Sequence, residues 1–416
     1  MKSVFISYFL FIRLPVALIL RFLSLFSRKL RNRVSFEKSF FIGAREDKRK
    51  ATHAFHVSSQ GELEQCFPLI EHALSKSSDG LVEVIFTSES VAQNLINLSE
   101  KFPNRLKCFP LPLTSLNPII FASLSKNISS DMLIMCRYDF FPELIYQRFS
   151  KVLLLVSARV KNKGLPYLKV LSFFHGIVAS SKDCAEKMDL SGLNIIDCAD
   201  FRAMRISKRQ QSFVKNQEFN KFKSLCLGWK GSVVCFGSTW GSDLKMIRGE
   251  EALSEENIYF FFPHKLTEIS VQEHLNNLPS NTNVVDDLDN FNFDESIMRG
   301  DRFFIIRQMG VLCDVYPFFD YVYVGGGFGE SIHSVLEPYV SGANVFCGPK
   351  VDRSSEYEFI KNRDPEKIQI IKSLFEIKNF LASSRKGSRG KERLSFIKSF
   401  EQEHLISIDR VLNYEN

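Results

Sequence analysis

The chain of 416 residues contains no CxxC pair, and its nine cysteines form no cluster of zinc-ligand spacing with its eight histidines. That excludes a zinc finger or ribbon. An odd number of cysteines scattered through apolar stretches also argues against a disulfide framework and reads as reduced thiols of a cytosolic compartment. No carboxylate cluster suggests a bound metal, so neither a metal nor a cofactor is expected. Repeats of fixed short period and low-complexity segments are missing too. Beyond residue 50 the chain has no excess of positive charge: residues 1–50 hold 12 Lys/Arg against 3 Asp/Glu, and the remainder 42 against 44. The net charge of +7 therefore belongs to the N-terminus, and no groove for nucleic acid is expected in the body. The dinucleotide fingerprint G-x-G-x-x-G is missing as well, because Glu330 stands where its last glycine would be.

What is present begins with residues 4–27, a strongly apolar run broken by Arg13, Pro15 and Arg21. At 100° per residue, Lys2, Arg13, Arg21, Ser24, Ser27 and Arg28 fall within an arc of roughly 120°. Two arginines inside a true span would cost about 2.5–3.5 kcal/mol each at its centre. A helix lying in the membrane interface with that stripe in water is therefore expected, with Pro15 as a place to kink. The basic stretch Arg28 to Lys50 places the body on the cytoplasmic side and attracts anionic lipid. A single span and a signal peptide are the rival readings; the latter wants its charge before the apolar run and a small-residue cleavage site after it.

Hydrophobic residues at 45% and a length beyond one ordinary core indicate a globular chain of two domains. After residue 50, strand-like runs at Ala54–Ser58, Val82–Thr87, Met132–Cys136, Val152–Val156 and Ile177–Ser180 alternate with helical patterns. A second series follows at Val233–Phe236, Ile258–Pro263, Phe303–Ile306, Tyr321–Val324 and Asn344–Cys347. Short apolar runs with long spacings predict parallel sheets with crossover helices. The polar stretch 207–231 reads as a linker between domains 51–206 and 232–416, with residues 1–50 a membrane-associated helix and basic flank. In such sheets ligands sit beyond the carboxyl ends of the strands.

The loops after these strands carry the chemistry-bearing residues. Glu62, in His56-Val57-Ser58-Ser59-Gln60-Gly61-Glu62, stands at a helix start where a carboxylate can take a proton from an attacking hydroxyl; it also suits the helix dipole. Arg137-Tyr138-Asp139-Phe140-Phe141-Pro142-Glu143 follows the third strand, as a substrate contact or an exposed loop with an aromatic plug. Gly237-Ser238-Thr239-Trp240 offers hydroxyls and free backbone to a phosphate, although such turns are common. Pro263-His264 ends another strand. Gly325-Gly326-Gly327-Phe328-Gly329 lets a backbone approach a ligand closely, or makes a structural turn. It leads through Ser331, His333 and Ser334 to Leu336-Glu337-Pro338, a helix start that would face a nucleotide phosphate, with Glu337 accepting from ribose hydroxyls.

In this order the motifs resemble the Kdo transferases of lipopolysaccharide biosynthesis. The matching pieces are Ser59-Gln60-Gly61-Glu62, Asp139-Phe140-Phe141-Pro142, Ser157-Ala158-Arg159, Asp200-Phe201-Arg202, Gly237-Ser238-Thr239-Trp240, Pro263-His264 and, most specific, Tyr323 through Pro349. The resemblance implies an α/β fold of the GT-B type: two Rossmann-like doubly wound domains, a deep inter-domain cleft and an N-terminal membrane-associated helix. It implies transfer of Kdo from CMP-Kdo to a lipid A precursor such as lipid IVA, at the cytoplasmic face of the cell inner membrane. The family's base falls on Glu62, and its CMP-binding segments on Gly325, Gly326, Gly327, His333, Ser334 and Glu337, with Ser238, Thr239 and His264 beside them. Ser59, Gly61, Arg137, Asp139, Arg159 and Arg202 are implied contacts to acceptor or donor sugar. Two departures stand out: Arg137-Tyr138-Asp139 replaces the family's Glu-x-Glu, and Ser334 replaces its common Asn. Another nucleotide-sugar donor, or a non-catalytic membrane-associated relative, are the alternative readings.

Overall fold

The computed structural model describes residues 2–43, 48–117, 120–138, 140–160, 165–245, 253–383 and 388–415. The chain divides into two compact units, Met1–Arg202 with Leu405–Asn416, and Ala203–His404. Each is built on a seven-stranded parallel sheet.

In the first unit the strands are β1 (Ala51–Val57), β2 (Leu81–Phe86), β3 (Leu106–Pro110), β4 (Met132–Cys136), β5 (Val152–Ala158), β6 (Gly176–Ala179) and β7 (Ile195–Cys198), in the order β3-β2-β1-β4-β5-β6-β7. In the second they are β8 (Val233–Thr239), β9 (Ile258–Pro263), β10 (Asn283–Val285), β11 (Phe303–Ile306), β12 (Tyr321–Val324), β13 (Asn344–Cys347) and β14 (Ile368–Ile370), ordered β10-β11-β9-β8-β12-β13-β14. Central strands such as Met-Leu-Ile-Met-Cys of β4 and Ile-Tyr-Phe-Phe-Phe-Pro of β9 are buried along their whole length, as sheets covered on both faces require. The helix Gln60–Lys76 shows how they are covered. Leu63, Cys66, Leu69, Ile70, Ala73 and Leu74 recur at three and four residues and are all buried. The expected doubly wound α/β fold is therefore observed twice.

The apolar runs predicted ten of the fourteen strands among the described residues. The other four, β3, β7, β10 and β14, are the outermost strands of the two sheets. Edge strands have one side against solvent, so polar residues such as Lys107, Asp197, Asn283 and Gln369 interrupt the run that makes an inner strand legible.

Two expectations are corrected. Residues 207–231 are not a free linker: helices Arg202–Lys215 and Asn220–Gly228 bury Phe213, Phe222 and Cys226 in the core of the second unit. Their apolar face is hidden in a sequence whose mean composition is polar. The C-terminal residues from Leu405 group with the first unit, where His53 Nε2 lies 2.8 Å from Leu412 O and Arg410 pairs with Asp197 at 3.2 Å.

The second correction concerns the N-terminus. Lys2–Tyr8 and Leu14–Ser24 are α-helical, and Phe9–Arg13 forms a π-helical turn between them. Pro15 sits in the first turn of the second segment, where its missing N–H is tolerated, so the helix continues past it. The stretch Lys2–Ser24 is long and apolar enough to cross a membrane. Its polar stripe is exposed only at its ends, Lys2 and Arg28, and its middle turns toward the protein. Arg13 is buried and pairs with Glu143 at 2.5 Å and with Pro112 O at 3.2 Å, and Arg21 donates to Thr114 O at 2.7 Å. Phe5 and Phe9 pack on Phe121, and Phe5 also packs on Tyr146, Phe149 and Phe173. The middle of the stripe docks on the first unit because the guanidinium groups of the buried Arg13 and the half-buried Arg21 find a carboxylate and carbonyls there, which the apolar face could not satisfy. Of the 20 exposed large hydrophobic residues among those described, 12 lie between Val4 and Phe26, so it is the apolar face that points outward.

Candidate functional site

Two places in this fold gather polar residues at the carboxyl ends of strands, and both lie where the winding of a sheet reverses: between β1 and β4 in the first unit, and between β8 and β12 in the second.

In the first unit, β1 leads through Ser58 and Ser59 into the helix Gln60–Lys76. Ser59 caps it by accepting from Glu62 N at 3.4 Å. Glu62 is 8% exposed and turns back to take the Ser58 N–H at 2.7 Å and the Ser58 hydroxyl. The capping geometry and the site at the strand end are thus one arrangement, and both readings of this carboxylate hold together. Gly61 stands exposed, and a Cβ there would meet nothing within 4 Å, so packing does not demand a glycine.

One turn further along the same helix face, the buried Gln65 links the ends of β4, β5 and β7. In the amide orientation that satisfies every partner, its nitrogen donates to Asp200 Oδ1 at 3.1 Å and Ser157 Oγ at 2.8 Å. Its oxygen accepts from Arg137 Nη2 at 3.1 Å and Arg202 Nε at 2.6 Å. Arg202 grips the Asp200 carboxylate with Nε at 2.9 Å and Nη2 at 2.5 Å. Burial pushes the Asp200 carboxyl up, but Arg202 and Arg137 outweigh it and hold it below its ordinary range. Arg137 and Ser157 both adopt left-handed backbone, at φ +54° and +56°, a cost that structures retain mainly at sites where a side chain must be aimed. Arg159 is buried, and its carbonyl accepts from Tyr167 Oη at 2.7 Å. Ser59 is exposed at the helix start. Asp139 lies outside the described residues.

In the second unit, β8 closes on Ser238, again left-handed at φ +54°, and Thr239, and Trp240 follows. His264, just past β9, stacks on the Trp240 ring at 4.4 Å and on the His333 ring at 4.3 Å. Trp240 Nε1–H donates to His333 Nε2 at 3.0 Å, which leaves Nδ1 of a neutral His333 as the protonated nitrogen. Burial lowers the pKa of both histidines; Lys265 adds to this at His264, and His264 does so at His333. The Lys265 ammonium stands 5.2 Å over the Trp240 ring. Three aromatic rings and one ammonium thus form a platform that suits a planar or anionic ligand.

Other predicted donor residues have internal partners. Thr239 is fully buried, and its hydroxyl pairs with His274 Nε2 at 2.8 Å while His274 Nδ1 faces Ser270 O at 2.7 Å. It points into the core rather than toward a phosphate. Gly325, Gly326 and Gly327 are buried by close backbone packing. A Cβ on Gly325 would lie 2.2 Å from Ser238 O, and one on Gly327 2.6 Å from Gly348 Cα. Gly326 adopts φ +93°. Here the need for glycine is met inside the protein. The helix start at Leu336 is corrected as well: the buried Glu356 carboxylate accepts from Leu336 N at 3.0 Å and from Ser334 Oγ at 2.9 Å, so a side chain of the protein holds the place assigned to a phosphate. Glu337 is half-buried, and its carbonyl accepts from Gln210 Nε2 at 2.9 Å.

Sequence reasoning missed Gln65, Asp243 and Glu356, and gave no role to Trp240. Gln65 could have been found from its three-residue spacing to Glu62, which puts both on one helix face. Asp243 stands three residues after Trp240, the spacing of a capping box. Glu356 reaches its partners from some twenty residues away, and no local pattern announces it.

Solved structures of similar fold include a putative UDP-N-acetylglucosamine 2-epimerase from Listeria monocytogenes, 11% identical with a TM-score of 0.53, covering 88% of this chain and 98% of the other. The UDP-GlcNAc 2-epimerase from Methanocaldococcus jannaschii is 10% identical with a TM-score of 0.51, over 85% and 99%. A glycosyltransferase from Rickettsia africae is 11% identical with a TM-score of 0.53, over 88% and 100%. At such identities the likeness is one of fold. No curated protein matches the sequence significantly. Residues 28–194 match the family described as 3-deoxy-D-manno-octulosonic-acid transferase (kdotransferase). The matched stretch holds Glu62, Arg137 and Arg159, and over it the chain is similar to the Kdo transferase family.

Proposed function

We propose that this protein transfers Kdo, with inversion, from CMP-Kdo to a lipid A precursor at the cytoplasmic face of the inner membrane. The observation that carries the reading is the seat of Glu62: a nearly buried carboxylate, oriented by Ser58, at the β1/β4 reversal of the domain that matches the family. In this mechanism Glu62 takes the proton from an acceptor hydroxyl as the oxygen attacks the anomeric carbon. The bond to the CMP phosphate breaks on the opposite side, and CMP leaves. The negative charge on the departing phosphate is met by donors of the second unit, for which Lys265, Ser238 and the Nδ1–H of His333 are the available groups. The base and acceptor contacts then belong to the first unit and the nucleotide to the second. Purified protein, CMP-Kdo and lipid IVA, with products read by mass spectrometry, test this. A mass increment of Kdo on the lipid supports it, and transfer only from another nucleotide sugar would replace the donor.

The membrane reading follows from the N-terminal helix. Arg13 and Arg21 fasten it to the first unit at two levels, and a helix so fastened along its length lies against that unit rather than standing through a bilayer. Its outer face, from Val4 to Phe26, meets the acyl boundary, and the basic residues of Arg28–Ser39 meet anionic headgroups. An impermeant reagent applied to the outer side of intact membranes tests this, with a tag at residue 1. No labelling is expected; labelling would show a single-pass anchor.

A further inference from the structure

Asp243, in the short helix Gly241–Leu244, is fully buried beneath the Trp240–His264–His333 platform. Its carboxylate gathers donors from three parts of the second unit: Trp240 N–H at 2.8 Å, the Tyr323 hydroxyl at 2.8 Å and Gly326 N–H at 3.0 Å. Two of these donors belong to residues that flank the same ring. Trp240 donates through Nε1 to His333 Nε2, and Gly326 stands so close that a Cβ on it would lie 3.3 Å from His333 Cδ2. Asp243 thus ties the end of β8 to the glycine turn after β12, and the His333 ring is seated between the two tied points.

We infer that Asp243 is a positioning residue of the nucleotide site, one that sets the His333 ring through Trp240 and Gly326 without touching the ligand. A carboxylate suits the place: it accepts from all three donors and offers none, whereas an amide would bring its N–H₂ near the Gly326 N–H and would need the Tyr323 hydroxyl to turn round and accept. The charge also strengthens each bond in a site sealed from water. Tyr323 agrees with this: burial and then the neighbouring Asp243 charge push its phenol well up, so it remains a donor throughout the working pH range. The inference takes its ligand from the proposed function, but the geometry stands independently of that reading.

The test uses Asp243→Asn and Asp243→Ala in a Trp229→Phe background, which leaves Trp240 as the only tryptophan of the two. Trp240 emission is recorded without ligand, CMP affinity by calorimetry, and donor and acceptor KM by turnover. For Asp243→Asn, Trp240 emission is expected to shift, and CMP affinity to fall by about tenfold or more, the scale of a lost charge-assisted bond. Donor KM rises with it, while acceptor KM stays within about twofold, a split that general loosening of the fold would not give. A folded Asp243→Asn with unshifted emission and CMP affinity within about twofold of its parent overturns the inference. Should both variants fail to fold, Tyr323→Phe removes one donor and keeps the ring. A shifted Trp240 emission with CMP weakened by about threefold supports the inference, and no change in either overturns it. If the parent itself binds no CMP, it is the donor reading that fails, and the emission of the ligand-free variants alone decides the role of Asp243.

Discussion

The hydrogen bonds that seat Glu62 come from Ser58, one from its backbone and one from its hydroxyl, and they hold the carboxylate at the start of a helix whose dipole suits it. Glu62→Gln keeps the size of the side chain and removes the ability to take a proton. Turnover is expected to fall by about 10²-fold or more, the typical range for a positioned base, with CMP affinity retained. A turnover loss below about fivefold, measured by radiolabelled Kdo transfer, would remove Glu62 from the mechanism. Thr239 is expected to behave in the opposite way. Its hydroxyl serves His274 in the core, so Thr239→Val leaves a buried ring nitrogen without its partner. That costs about 1–3 kcal/mol of stability, read as a lower urea midpoint, while CMP affinity in the folded variant stays the same. Weakened CMP binding at unchanged stability would return Thr239 to the phosphate.

At the scale of elements, the N-terminal helix shows how one pattern supports two geometries. The arc of Arg13, Arg21 and Ser24 is as visible in the sequence as the strands are, but an amphipathic wheel does not say which face meets what. The polar side found a carboxylate and carbonyls in its own protein, which leaves the apolar side pointing outward. Arg13→Ala strands the buried Glu143 charge, a loss of about 3–5 kcal/mol in the anchoring of the helix. Protease cleavage near residues 14–27 is expected to become faster, while the double change Arg13→Met, Glu143→Gln recovers most of the protection. Equal cleavage of Arg13→Ala and the parent would show that the ion pair does not hold the helix. The strands follow the same logic. Inner strands announce themselves because both faces are buried; β3, β7, β10 and β14 do not, because one edge is wet.

For the whole molecule, acid is the expected weakness. His53, His175, His264, His274 and His333 all have lowered pKa values, each chiefly through burial. As pH falls through about 6.5, the unfolded chain therefore takes up protons before the folded one, and stability declines from that point downward. Asp200, held low by Arg202 and Arg137 despite its burial, extends the loss to still lower pH. The urea midpoint at constant ionic strength is expected to be lower at pH 5 than at pH 7.5, and an equal or higher value at pH 5 would contradict this assignment.

The sequence by itself determined the fold class, the inner strands and the order of the strand-end loops, because burial on both faces of a parallel sheet and the residues at a strand's carboxyl end leave local patterns. It also pointed to Glu62, His264 and His333 as candidates, each in the loop or helix start that follows a strand. Only the tertiary structure decided which of the neighbouring residues face inward. Thr239 turned to His274, Ser334 and the Leu336 amide to Glu356, and Gly325 and Gly327 to the backbones of Ser238 and Gly348, since each of these partners is brought in from another element. It likewise decided which partners Gln65 and Asp243 gather, each within its own unit, and that Arg13 faces the protein. Hydrogen-bond partners far apart along the chain are chosen by packing, and no local spacing encodes that choice.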